Sequence, residues 1–127
     1  MDFLKVKEII ADMGLKIVDE IEEEELVVIE DESRGIKGMI VDCEGDMLII
    51  EQPLGRFSEK YFKWFLEQSR FLPFGAFVLD EESGTILFRN TLRLDTLDVE
   101  EFESTINSLE IFFAEHGDEL IKMSKDS

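Results

Sequence analysis

Cysteine, histidine, proline and positive charge are all scarce in this chain of 127 residues, which has one Cys, one His, two Pro, and 13 Lys or Arg against 31 Asp or Glu. Each scarcity excludes something. Cys43 stands alone, so no internal disulfide can form, and a reducing, cytoplasmic setting is expected. His116 has no second histidine with which to share zinc, and no nucleophile or orienting group is designated beside it. The formal net charge of −18 repels phosphate backbones and anionic lipid, which sets aside nucleic acid and membrane as partners. No apolar run approaches membrane-spanning length, and the opening MDFLKVKEII carries Asp2 and Glu8 in place of a secretory signal's apolar core.

Recognisable chemistry is missing as well. Gly35 and Gly38 lack the following glycine of a phosphate-cradling loop, and the carboxylate clusters lack calcium-loop spacing. The run Glu22 to Glu25 reads as a solvated loop or the start of a strand, and Cys43 as a structural thiol with no cation nearby to activate it. No catalytic, cofactor-binding or metal-ligating residue is assigned. A binding role is favoured over an enzymatic one.

What the chain does contain centres on Leu72 to Leu94. From Thr85 the side chains alternate, so Ile86, Phe88, Leu92 and Leu94 share one face while Leu87, Arg89, Thr91 and Arg93 take the other. Phe74 to Leu79 is apolar on both faces, which predicts a place inside the sheet or a partner on its outer side. Asp80 to Gly84 has the length and terminal glycine of a hairpin loop. Asp98 then caps a helix whose stripe is Val99, Phe102, Ile106, Leu109 and Phe113, widened by Phe112 and Leu120. Ile111 projects alone among polar residues, and the tail from Lys122 to Ser127 is expected to fray.

Upstream, Phe3, Val6, Ile10 and Met13 give a first helix, with Asp2 as its cap and Gly14 ending it. Leu15 to Glu25 gives only a mixed signal. Leu26 to Glu30, Ile36 to Cys43 and Met47 to Gln52 form a meander, apolar in places on both faces, with Met39 and Val41 opposed to Ile36 and Ile40. Ser58 caps a second helix on which Phe57, Tyr61, Phe62, Trp64, Phe65 and Leu66 spread over roughly 200°, wider than the stripe one sheet requires. The chain length fits one domain over residues 1–127.

The order helix, meander, helix, hairpin, helix, together with Phe74-Gly75-Ala76-Phe77-Val78-Leu79-Asp80, the strand ILFRNTLRL and the capped segment Leu97 to Phe102, resembles the YbjN family, which is similar in fold to the Tir-type chaperones of type III secretion. The resemblance implies an α+β fold of order α-β-β-β-α-β-β-α, with a twisted five-stranded antiparallel sheet packed by the first and third helices. It also implies a second helix available for dimer contact, no catalytic residues, and a role that is chaperone-like or regulatory.

The reading is therefore a non-enzymatic protein- or peptide-binding module acting as a homodimer. Phe57, Tyr61, Trp64 and Phe65 are assigned to self-association. Met39, Val41, Leu87 and Arg89 are assigned, as an outward set, to a client or regulatory protein segment. The alternative is a small-molecule or metal-responsive regulatory domain with its pocket between sheet and helices; an enzyme has the least support.

Overall fold

The computed structural model describes residues 2–126. In chain order it contains α1 (Asp2–Asp12), β1 (Lys16–Ile21), β2 (Leu26–Asp31), β3 (Ile36–Glu44), β4 (Met47–Arg56), α2 (Phe62–Ser69), β5 (Ala76–Asp80), β6 (Thr85–Arg93) and α3 (Val99–Lys125). The strands pair antiparallel in one sheet of order β1-β2-β3-β4-β6-β5. The α+β class stands, but the sheet has six strands, where five were expected.

The additional strand is β1. It pairs only with β2, at an edge, and its register shifts between Ile17 and Asp19, leaving Val18 unpaired. A bulge reverses which residues face the core, so no clean alternation survives in Lys16–Ile21, and all but Ile17 are exposed. The other edge is β5, which excludes the first of the two expectations for this segment, a place inside the sheet, and leaves the second, a partner on its outer side. Only Phe77 of β5 is buried.

Bulges also explain a second correction. Register shifts between Ile29 and Glu30 on β2, where Ile29 faces Met39 and Glu30 faces Lys37, so Gly38 on β3 is the extra residue. Its φ of 69° is one that glycine adopts without strain. Because the extra residue switches faces, Ile36, Met39 and Val41 all point inward and are fully buried. Ile36 does not oppose Met39 and Val41, and those two do not face outward.

The missing pairing at this bulge is replaced by a side chain. Gln52, buried on β4, accepts from the Lys37 amide at 3.2 Å and donates to the Lys37 carbonyl at 2.7 Å and the Pro53 carbonyl at 2.9 Å. Its carboxamide stands in for a peptide group of the ladder. Buried Ser108 of α3 likewise holds the loop before β5, donating to the Phe74 carbonyl at 2.7 Å and accepting from the Phe74 amide at 3.1 Å.

Helix ends follow local chemistry. At the end of α1, Leu15 donates to the Ile10 carbonyl and Gly14 to the Ala11 carbonyl, a paired cap that needs Gly14 at its φ of 73°. Asp2 is the first helical residue, so the residue before α1 lies outside the described residues. Asp98 caps α3 through the Glu101 amide at 2.8 Å. Ser58 makes no side-chain cap; a 3-10 turn, Glu59–Tyr61, leads into α2 instead. Nor does α3 fray at Lys122: it runs to Lys125, Met123 is buried, and Asp126 accepts from Tyr61 and pairs with Lys60 at 2.6 Å. Ser127 lies outside the described residues.

One core joins these elements. Phe3, Val6, Ile9 and Ile10 of α1 share it with Val27, Ile29, Ile50 and Phe88 of the sheet and with Phe102, Ile106 and Leu109 of α3. The buried strand positions fall on one face, so the opposite face of the sheet carries no helix.

Candidate binding surfaces

On α2, much of the wide aromatic arc is spent internally. Phe65 is 2% exposed and Phe57 is buried beside it, with ring centroids 4.9 Å apart. Trp64 is half-buried, edge-on to Phe65 at 5.1 Å and to His116 at 5.5 Å, and 6.0 Å from Phe112. Tyr61 is half-buried and bonded to Asp126. Of the residues assigned to self-association, Tyr61 and Trp64 thus reach the surface, and Phe57 and Phe65 support them from the core.

Beside them lie residues that helical spacing did not reveal. Phe71, in the loop after α2, is 72% exposed, and with Ile111 of α3 it borders a shallow depression that also involves Leu72 and His116. Ile111 is therefore not isolated. The signal for Phe71 was the apolar run Phe71-Leu72-Pro73-Phe74 directly after a helix, where solvated turn residues are the norm. Trp64 touches His116, which lines the same depression as Phe71 and Ile111, so these three apolar side chains border one patch, with Tyr61 one turn before Trp64 in the chain. Leu66, though 69% exposed, points about 200° away around the helix from Trp64.

The second surface is the helix-free face of the sheet. Direct cross-strand pairing sets Val28 beside Ile40, Ile40 beside Glu51, and Glu51 beside Arg89. The next rows hold Leu26, Asp42 and Ile49, and Pro53, Leu87 and Val78. Leu87 is half-buried and Arg89 exposed on this face. Arg89 answers Glu51 at 3.9 Å, a long contact between partly exposed groups. Met39 and Val41 belong to the core behind this face, and its own apolar side chains include Val28, Ile40 and Ile49.

Electrostatically the face is unusual at Asp42. Its Oδ1 is buried without a hydrogen-bond partner among the described residues. Burial first, then the Glu44 carboxylate and the charges of Glu24 and Glu51, push its pKa up to about 6. Cys43 is pushed up to about 11 by burial and by Glu25, Asp42 and Asp2, so it is a weak nucleophile at neutral pH. His116 bonds Glu119 at 2.7 Å through Nδ1 and stacks among aromatics, an arrangement that anchors the ring. Among the described residues, no group of His, Cys, Asp or Glu is arranged to hold a metal ion. Among the described residues, no helix is long and apolar enough to cross a membrane.

Comparison with solved structures places this architecture. YbjN from E. coli superposes with a TM-score of 0.67 at 8% identity, covering 92% of this chain and 92% of that one. The HopA1–SchA chaperone–effector complex gives 0.64 at 12% identity, covering 88% and 91%. The Yersinia pestis type III secretion chaperone SycH, solved with a stable fragment of YscM2, gives 0.59 at 16% identity, covering 98% and 100%. At these identities the likeness establishes the fold. No curated protein matches the sequence. The CesT_Tir_1 family profile matches residues 1–126, and the chain accordingly belongs to the CesT/Tir chaperone-like family, a family of non-enzymatic domains.

Proposed function

We propose that this chain is a chaperone-like or regulatory binding module of the cytoplasm, forming one domain that dimerises through the α2 rim and holds a segment of another protein on the helix-free face of its sheet. The observation that carries it is the rim itself. Phe71 and Ile111 leave large apolar side chains in water around one depression that half-buried Trp64 adjoins through His116, in a molecule of net charge −18. Burying such area is worth about 25 cal/mol per Å².

Client recognition follows from the chemistry of the other face. Val28, Ile40, Ile49 and Leu87 offer apolar contact, while Asp42, Glu44 and Glu51 favour a segment carrying Lys or Arg. Solved structures of similar fold support this reading, since SchA was captured with HopA1 and SycH with a fragment of YscM2. A labelled peptide alternating Leu and Lys should bind, and its anisotropy signal should fall with salt. The same peptide with Glu for Lys should not bind. Leu87→Asp should weaken the Lys peptide about tenfold while leaving the thermal melt intact; equal binding of both peptides would remove this face from recognition.

A further inference from the structure

A cavity of about 410 Å³ opens between the β3–β4 end of the sheet and the C-terminal half of α3. Its walls are Leu54, Phe57, Phe113 and Leu120, and its rim carries Lys37 and Lys125. Among the described residues, no carboxylate lines it. In a chain with 31 acidic and 13 basic side chains, that composition is against the general trend. Three other depressions on this molecule each include at least one acid: Glu115, Glu59 with Glu81, and Asp98 with Glu100 and Glu101.

Polar capacity in this cavity is concentrated in its two ammonium groups. Buried Gln52 forms part of the lining, but its carboxamide is already engaged by the Lys37 backbone and the Pro53 carbonyl. Neither Lys37 nor Lys125 takes part in an ion pair among the described residues. Ser124 adds one hydroxyl. Gly35 keeps the cavity wall close: a Cβ there would stand 3.0 Å from Cδ2 of Phe113.

We infer that this cavity is a binding site for a small amphiphilic monocarboxylate, with its apolar tail against Phe57, Phe113, Leu54 and Leu120 and its carboxylate between Lys37 and Lys125. The volume lies within the usual range for small-molecule sites, about 300–1,000 Å³. A neutral apolar ligand would make no use of the lysines. A polyanion would meet the repulsion of the whole molecule's −18 charge and leave the apolar walls unused. A single negative charge on a hydrocarbon tail satisfies both halves of the cavity. The site adjoins α2, since Phe57 packs on Phe65 and Asp126, next to Lys125, accepts from Tyr61; it stands or falls independently of the peptide-binding reading, which concerns the helix-free face of the sheet.

The test is titration of the full chain with sodium octanoate, followed by two-dimensional amide NMR and calorimetry, beside octanol and octylammonium. Saturable binding of octanoate is expected, with shifts at residues 35–37, 52–57 and 113–125. Octanol should bind at least tenfold more weakly, and octylammonium not at all. The doubly substituted Lys37→Glu, Lys125→Glu chain should lose octanoate binding at least tenfold; both side chains are exposed, so its melting curve should match the parent's. Equal affinity for octanol and octanoate, unchanged octanoate binding in that variant, or absence of saturable binding would overturn the assignment.

Discussion

Arg34, in the turn between β2 and β3, donates from Nη2 to Glu103 at 2.8 Å and from Nε to Glu110 at 2.9 Å, spanning 69 and 76 residues of sequence. Its Nη2 also reaches Asn107 at 2.9 Å. These hydrogen bonds to two carboxylates hold the guanidinium charged far above its ordinary range and clamp one end of the sheet to α3.

Replacing Arg34 by Ala leaves three acceptors on α3 without their donor. Because the arginine is largely covered, the loss should be about 1–3 kcal/mol in urea unfolding. Arg34→Lys should recover only part of this, since an ammonium cannot span both carboxylates with a planar fork. Full recovery by lysine would reduce the clamp to simple charge.

Gly75 precedes β5 with a φ of 83°, and a Cβ there would stand 2.7 Å from Cε1 of Phe88 and 2.8 Å from the Arg89 carbonyl oxygen. Both the backbone conformation and the space require glycine. Gly75→Ala should cost about 2–4 kcal/mol. Gly14→Ala, where nothing lies within 4 Å, should cost less, about 1–2 kcal/mol from the backbone alone. Equal losses at the two sites would mean that the loop before β5 shifts freely.

Asp42 makes stability pH-dependent. Its carboxyl is raised in the folded chain to about 6 from its ordinary 3.8, so folding favours the protonated form. That stabilisation is complete below pH about 4 and is lost as pH rises through about 6. Asp42→Asn removes the cost of holding the charge among Glu44, Glu24 and Glu51. With the shift discounted for partial solvent screening, the variant should gain about 1 kcal/mol at pH about 7 and nothing at pH about 4. A gain that does not change with pH would point to packing instead.

Local rules were readable where the chain obeys them without interruption. The caps at Gly14 and Asp98, the loop closed by Gly84, and the alternation of Ile86, Phe88 and Leu92 all needed only neighbouring residues. The stripe on α3 shifted by part of a turn: Thr105 and Ser108 are buried because Asn90 and the Phe74 backbone meet them, while Val99 is exposed. Single-residue insertions at Val18 and Gly38 defeated the alternation elsewhere, hiding β1 and turning Met39 and Val41 inward. Ile111 and Phe71 became a pair only when a loop and a helix, 40 residues apart, were brought together.

Mass in solution tests the central claim most directly, that the apolar rim of α2 is covered by a second copy. Light scattering of the parent chain should give a dimer, and because two strongly acidic bodies repel, dissociation should weaken as salt rises from about 0.02 M to about 0.5 M. Phe71→Glu with Ile111→Glu alters only exposed positions, unlike a change at Trp64, whose ring also packs on Phe65 and Phe112. That variant should be a folded monomer. A parent chain that is monomeric at every salt concentration, or a doubly substituted chain that stays dimeric, would contradict the account.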